Sequence, residues 1–171
     1  MRRGPNLRAL RGADEEDGAA TILLADDDSR VRRRVRRGLV RQGYRVVEAW
    51  EGADAVLLAA RERAVGAVVA LPTADRDAAL CAAFKADHRT CALPVVVVSH
   101  RSDEATIRRA FHAGADDYVT MPFAVGELVR VLDTLLADEL ARHRAVAARR
   151  VVVAAGEAAP VRGEAIVPAI G

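Results

Sequence analysis

Five short apolar runs, each followed by a segment that can form a helix, constrain this chain more than any other feature. The runs are "TILLAD" (21–26), "YRVVEA" (44–49), "GAVVAL" (66–71), "PVVVVS" (94–99) and "DYVT" (117–120). Their length and β-branched content suit strands, and the first suits a strand buried on both faces. Between them lie helical stretches. In 27–43, Val31, Val35 and Leu39 recur every four residues and Gly43 is a stop. The stretches 52–64, 75–87 and 103–115 also read as helices, the last closed by Gly114. A long one spans 125–150, with Leu128, Leu132, Leu135 or Leu136, and Leu140 on one side. Strand followed by helix, five times over with short connections, predicts βαβ units: a five-stranded doubly wound parallel sheet with helices on both faces. Ligand chemistry in such sheets sits beyond the carboxyl ends of the strands. Those ends carry Asp26 and Asp27, then Ala70 and Leu71, then Ser99, then Thr120 and Met121. The first strand leads into "ADDDSR", with neither GxGxxG nor GxxxxGK[ST], which excludes the common nucleotide-binding loops.

Bulk properties narrow the function class. The chain has 171 residues, 29% charged, with a net charge of +2. That is enough for one domain with a sizeable core, and the balance does not point to a nucleic-acid protein. No apolar run approaches the roughly 20 residues that span a bilayer. The opening "MRRGPNLRALRGADEEDGAA" lacks the apolar stretch of a signal peptide, so a cytoplasmic location is expected. Cys81 and Cys91 form no CxxC and read as reduced thiols. His88, His100, His112 and His143 show no zinc-type spacing. Residues 1–20 read as a mobile arm, 21–137 as the folded domain, 138–150 as an extension of the last helix and 151–171 as a mobile tail. The "VVV" at 151–153 is capable of adding to a sheet edge.

A first strand ending in two acids, a hydroxyl ending the fourth and "GADDYVTMPF" (114–123) around the fifth resemble the receiver domain of bacterial two-component response regulators. The match covers about residues 21–137, and it implies a flavodoxin-like α/β fold. In that family an aspartate ending the third strand accepts a phosphoryl group from a histidine kinase. Mg²⁺ sits between it and the acidic pair. A Ser or Thr ending the fourth strand and a Lys before a cis proline bind the phosphoryl oxygens, and an aromatic residue in the fifth strand swings with the hydroxyl. Mg²⁺ wants carboxylates near octahedral geometry, and carboxylate attack on phosphorus needs charge neutralised on both sides.

By this resemblance the acidic pair lands on Asp26 and Asp27, the hydroxyl on Ser99, the switch aromatic on Tyr118 and the cis proline on Pro122. The acceptor lands on Ala70. Aligning from the other side gives Val69, and Leu71 is close; none is an acid. The lysine lands on Met121. Lys85, the chain's only lysine, lies on the helix after the third strand and is no substitute. The two losses match: keeping one buried charge without the other would cost about 3–5 kcal/mol, whereas exchanging both for apolar groups is often neutral. The alternative is a relocated acceptor, Asp75 or Asp77 in "LPTADRD", where an Asp can also cap the next helix. With no lysine opposite, the Asp26–Asp27 pair should push one pKa upward or recruit a cation; two carboxylates alone make a weak Mg²⁺ site. Asp28 or Ser29 is the expected cap of the first helix. Ser99 and Tyr118 read as structural residues once no phosphoryl group pulls on the hydroxyl, and Trp50 as rim packing.

Arg30, Arg32, Arg33, Arg34, Arg36, Arg37 and Arg41 crowd the first helix, with no acid between Ser29 and Val47. They read either as a solvated face or as an electrostatic surface for an acidic partner. In receivers the first helix contacts kinase and phosphotransfer proteins, so the resemblance puts a protein partner first, with Arg30, Arg33, Arg34, Arg37 and Arg41 as its surface. The face built from the fourth helix, fifth strand and fifth helix is the one receivers use to pair, here for a homodimer. The expected function is thus a stand-alone, non-enzymatic receiver-like signalling module, independent of phosphorylation and acting by protein–protein contact. Its alternatives are a phosphorelay regulator using Asp75 or Asp77, and an arginine-driven nucleic-acid binder.

Overall fold

The computed structural model describes residues 19–50 and 52–156. Five strands, β1 (Thr21–Asp26), β2 (Arg45–Ala49), β3 (Gly66–Ala70), β4 (Val95–Ser99) and β5 (Asp117–Thr120), alternate with α1 (Ser29–Arg41), α2 (Gly52–Arg61), α3 (Ala74–Ala86), α4 (Glu104–His112) and α5 (Val125–Gly156). The strands form one parallel sheet in the order β2-β1-β3-β4-β5. The chain therefore starts at β1, goes one way to β2 and then reverses to β3. That reversal opens a crevice beyond the carboxyl ends of β1 and β3. This is the flavodoxin-like arrangement expected from the sequence.

Strand periodicity sorts the core into two layers. Ile22 and Leu24 face α1 and α5, packing with Val35, Leu39, Leu128 and Leu132. Leu23 and Ala25 face the other helices, packing with Ala55, Leu80, Phe84 and Ala110. β1, β3 and β4 are buried along their whole length, which explains their continuous rather than alternating apolar character. Each fully buried Val or Leu contributes about 1.5–3 kcal/mol relative to exposure, so these strands dominate the driving force.

Local signals set the helix ends. Asp28 caps α1, its side chain accepting from the Arg30 N–H at 2.7 Å. Thr73 caps α3 and Asp103 caps α4 in the same way. Asp103 is therefore a cap rather than the first residue of a helix spanning 103–115. Gly43 follows α1 at φ +88°, a conformation that costs other residues strain. Its N–H donates to the Val40 carbonyl, and the Tyr44 N–H to that of Leu39.

Two terminal expectations change. Ala20, placed by sequence in a mobile arm, is buried, and its carbonyl accepts from Arg45 N–H at 2.9 Å, continuing the β1–β2 ladder by one residue. Residues 1–18 lie outside the described residues. At the other end α5 continues to Gly156, so "VVV" (151–153) is helical and not a sheet-edge strand or a tail. No Gly or Pro interrupts the stretch from Leu128 to Ala155, and the helical ladder carries on. The tail beyond Gly156 lies outside the described residues. The chain divides into two compact units, Met1–Leu140, which holds the sheet, and Ala141–Gly171. Among the described residues no helix is long and apolar enough to cross a membrane.

Gly38 marks the contact between α1 and α5. A Cβ there would stand 1.9 Å from Val125 Cγ1, a branched side chain that cannot swing aside. Gly38→Ala is expected to lower the melting temperature, since overpacking of about 1–3 kcal/mol outweighs a helix-propensity gain of up to about 1 kcal/mol. Adding Val125→Ala should restore it; thermal unfolding of the two variants checks this.

Candidate functional site

The strand register brings the sequence-selected positions to one end of the sheet. Asp26 pairs with Ala70 across β1 and β3, and Ser99 with Thr120 across β4 and β5. The Met121 N–H donates to the Ser99 carbonyl at 2.7 Å, extending that ladder to the Met121–Pro122 peptide, which is cis. Ala70 is buried at the crevice floor, and the Met121 side chain packs half-buried against the α1–α5 layer. The third strand ends at Ala70, one residue short of the run 66–71 read from sequence, and carries no acid there.

Of the acidic pair, Asp26 points inward and Asp27 outward. Asp26 is only 1% exposed. Its Oδ1 accepts from the Asp28 N–H at 2.6 Å, while Oδ2 has no hydrogen-bond partner among the described residues. Burial, more than its acidic neighbours, pushes the Asp26 carboxyl up to about 6, opposed by that Asp28 hydrogen bond. The pair was expected to raise one pKa by mutual repulsion; the rise is there, but Asp27 is the smallest of its causes. Asp27 instead meets Arg76 of α3, whose guanidinium donates to Oδ2 at 2.7 Å. The basic partner of the acidic pair thus comes from α3 and not from the position before the cis proline. Lys85 serves the opposite end of the sheet, donating to the Leu93 carbonyl and to Asp116 Oδ2, both at 2.9 Å.

The two alternative acceptors part company. Asp75 is exposed and paired with Arg109 of α4. Asp77, the fourth residue of α3, is buried, and its Oδ1 accepts from the Leu71 N–H at 2.9 Å. It thus ties the β3–α3 connection to the helix, whereas the cap is Thr73. Burial pushes its carboxyl up to about 6, and Asp26 adds to the rise. Sequence reasoning missed this inward turn. No spacing in "LPTADRD" signals it: the packing of α3 against the sheet turns Asp77, three residues after Ala74, inward.

A divalent metal of the kind the resemblance implies does not fit this donor set. Asp26 offers one unpartnered oxygen, Asp27 is engaged by arginine, and Ala70 brings no side-chain oxygen. Among the described residues no cluster of three His, Cys, Asp or Glu side chains could hold a metal ion.

Ser99 and Tyr118 converge on one residue of the β4–α4 connection. Ser99 Oγ accepts from the Arg101 N–H at 3.3 Å, and the Tyr118 hydroxyl donates to the Arg101 carbonyl at 2.9 Å. Trp50 sits at the rim, 59% exposed, with the Arg32 guanidinium 5.5 Å from its ring centroid.

The seven arginines of α1 divide into two groups. Arg32 and Arg36 turn toward Glu48 of β2, at 3.7 and 3.5 Å. Arg30, Arg33, Arg34, Arg37 and Arg41 line a groove of about 540 Å³ beside Val125 of α5. Arg34 is held there by the Phe123 carbonyl at 2.7 Å and lies over the Phe123 ring. Among the described residues, no carboxylate is within salt-bridge distance of these five.

Comparison with known proteins agrees with this geometry. A family model, the response regulator receiver domain, matches residues 22–133. The chain is 36% identical over 128 residues to the KDP operon transcriptional regulatory protein KdpE of Escherichia coli (strain K12), covering 74% of this chain and 54% of that protein. It is 35% identical over 117 residues to the transcriptional regulatory protein PrrA of Mycobacterium tuberculosis, covering 67% of this chain and 49% of that protein. It thus spans about half the length of the curated relatives it matches. The crystal structure of a response regulator from Chloroflexus aurantiacus J-10-fl superposes with a TM-score of 0.65 at 28% identity, covering 70% of this chain and 99% of that one. Fold, crevice and family match converge, and the chain belongs to the response regulator receiver domains of two-component signalling.

Proposed function

We propose that this receiver domain signals without phosphoryl transfer, by binding a partner protein in its resting covalent state. The observation that carries the reading is the floor of the crevice. Alanine stands at the end of β3 and methionine before the cis proline, so neither the nucleophile nor the cation that would steady its phosphoryl group is present. Asp77 does not take over as acceptor. One of its oxygens is committed to the Leu71 N–H, and the side chain is buried under the β3–α3 connection. Asp75 is exposed and engaged by Arg109. The domain acts as a module and not as an enzyme. Its partner is a kinase, a phosphotransfer protein or another regulator. The arginine groove of α1, with no carboxylate within salt-bridge distance among the described residues, supports an acidic protein surface as the ligand. Arg32 and Arg36 share Glu48, which offsets one of their two charges and leaves less uncompensated charge for nucleic acid than the sequence alone displays.

Intact mass after incubation with Mg²⁺ and acetyl phosphate tests this, with Trp50 fluorescence followed in parallel. The expected result is an unchanged mass and an unchanged emission. A gain of one phosphoryl group that disappears in Asp77→Asn or Asp75→Asn would establish a relocated acceptor instead.

A further inference from the structure

We propose that the arginine groove of α1 is occupied by the chain's own acidic segment, Asp14-Glu15-Glu16-Asp17, which competes with outside partners for that surface. The inference rests on the groove being the docking surface proposed above and names its resident occupant. Charge complementarity is the first argument. Five guanidinium groups line the groove without a carboxylate in reach among the described residues, and "DEED" (14–17) is the densest run of acids in the sequence. The second argument is position. The Arg45 N–H donates to the Ala20 carbonyl, and Arg45 follows the turn that closes α1 after Arg41. Ala20 packs in the same layer as Leu39 and Val35, on the α1–α5 side of the sheet. The segment before β1 therefore leaves the fold beside the Arg41 end of the groove.

The third argument is length. From Arg41 to Arg30 the helix rises about 16 Å. Asp17 and Asp14 precede Ala20 by three and six residues, a reach of about 10 and 20 Å in extended chain. The four acids thus span about 10 Å, the helix rise from Arg41 to Arg34, and meet that end of the groove without straining the connection. A short tether gives such a segment a millimolar effective concentration, so even weak ion pairs keep the groove covered. An acidic partner must then displace the segment, and partners of low charge density are excluded.

The test uses the full chain and a fluorescein-labelled peptide with the sequence of residues 12–20, titrated at low salt and read by anisotropy. Neutralising the resident segment (Asp14→Asn, Glu15→Gln, Glu16→Gln, Asp17→Asn) is expected to tighten peptide binding by about fivefold or more. Arg37→Glu with Arg41→Glu should abolish binding in both backgrounds, with circular dichroism and thermal melts confirming that each variant folds. Equal peptide affinity with and without the resident charges would overturn the proposal while leaving the docking surface intact. Absence of peptide binding to the neutralised variant would overturn both. Occupation by the acidic segment of a second copy, seen as a concentration-dependent mass in sedimentation that the neutralised variant loses, would also overturn it.

Discussion

Ala70→Asp, made alone, is expected to destabilise the domain by about 3 kcal/mol, because it buries a second carboxylate directly across from Asp26 with no cation to meet it. For a domain of this size that corresponds to a fall in melting temperature of about 10 °C. Met121→Lys alone should be close to neutral, since the lysine stem covers the same apolar surface and its ammonium has the partnerless Oδ2 of Asp26 as a target. The double variant is expected to recover most of the loss, with a coupling energy of about 2 kcal/mol in a double-mutant cycle. Additive effects would show that the two positions do not share one site. The cycle measures whether alanine and methionine form a matched replacement, which neither single variant can do.

The second large effect is on pH. Asp26 and Asp77 are both pushed by burial from an ordinary value of 3.8 to about 6. Between those pH values the native state holds protons that the unfolded chain has released. Stability therefore falls as pH rises from about 4 to about 6 and levels off above, the reverse of a salt-bridged carboxylate. Each group accounts for about 3 kcal/mol at full ionisation. Asp26→Asn removes one share of that slope. At pH 7 the variant is expected to be more stable than the parent by about 1–2 kcal/mol, the gain being reduced by an amide N–H that inherits the partnerless place of Oδ2. Urea unfolding midpoints at pH 5 and pH 7, with chelator present, check both statements. A parent protein that gains stability on going from pH 5 to pH 7 would contradict them.

Much of this architecture was legible because the strands are short, nearly continuous apolar runs and several helix ends carry their signals in sequence: Gly43 and Gly114 as stops and Asp28 as a cap. The order of strand ends gave the crevice its place; β3 ends at Ala70, and the cis Met121–Pro122 peptide follows β5. The charges were harder to read. Sequence sees arginines crowded on α1, but only the fold shows that Arg32 and Arg36 fall over Glu48 while five others face Val125. It sees Asp27 beside Asp26, yet only the packing of α3 brings Arg76 to one and leaves the other partnerless. Asp77 is the clearest case. As one acid of two in a charged stretch it read as a cap or an exposed nucleophile, whereas the angle at which α3 leaves β3 buries it against the Leu71 amide. Side-chain direction at a helix start depends on tertiary packing, and no spacing rule in one sequence supplies it.

Ser99 of β4 and Tyr118 of β5 hold Arg101 by its amide and its carbonyl, one from each strand. Each bond contributes about 0.5–1.5 kcal/mol toward this resting position of the β4–α4 connection. Under the function proposed above, such a domain carries no memory of past chemical events.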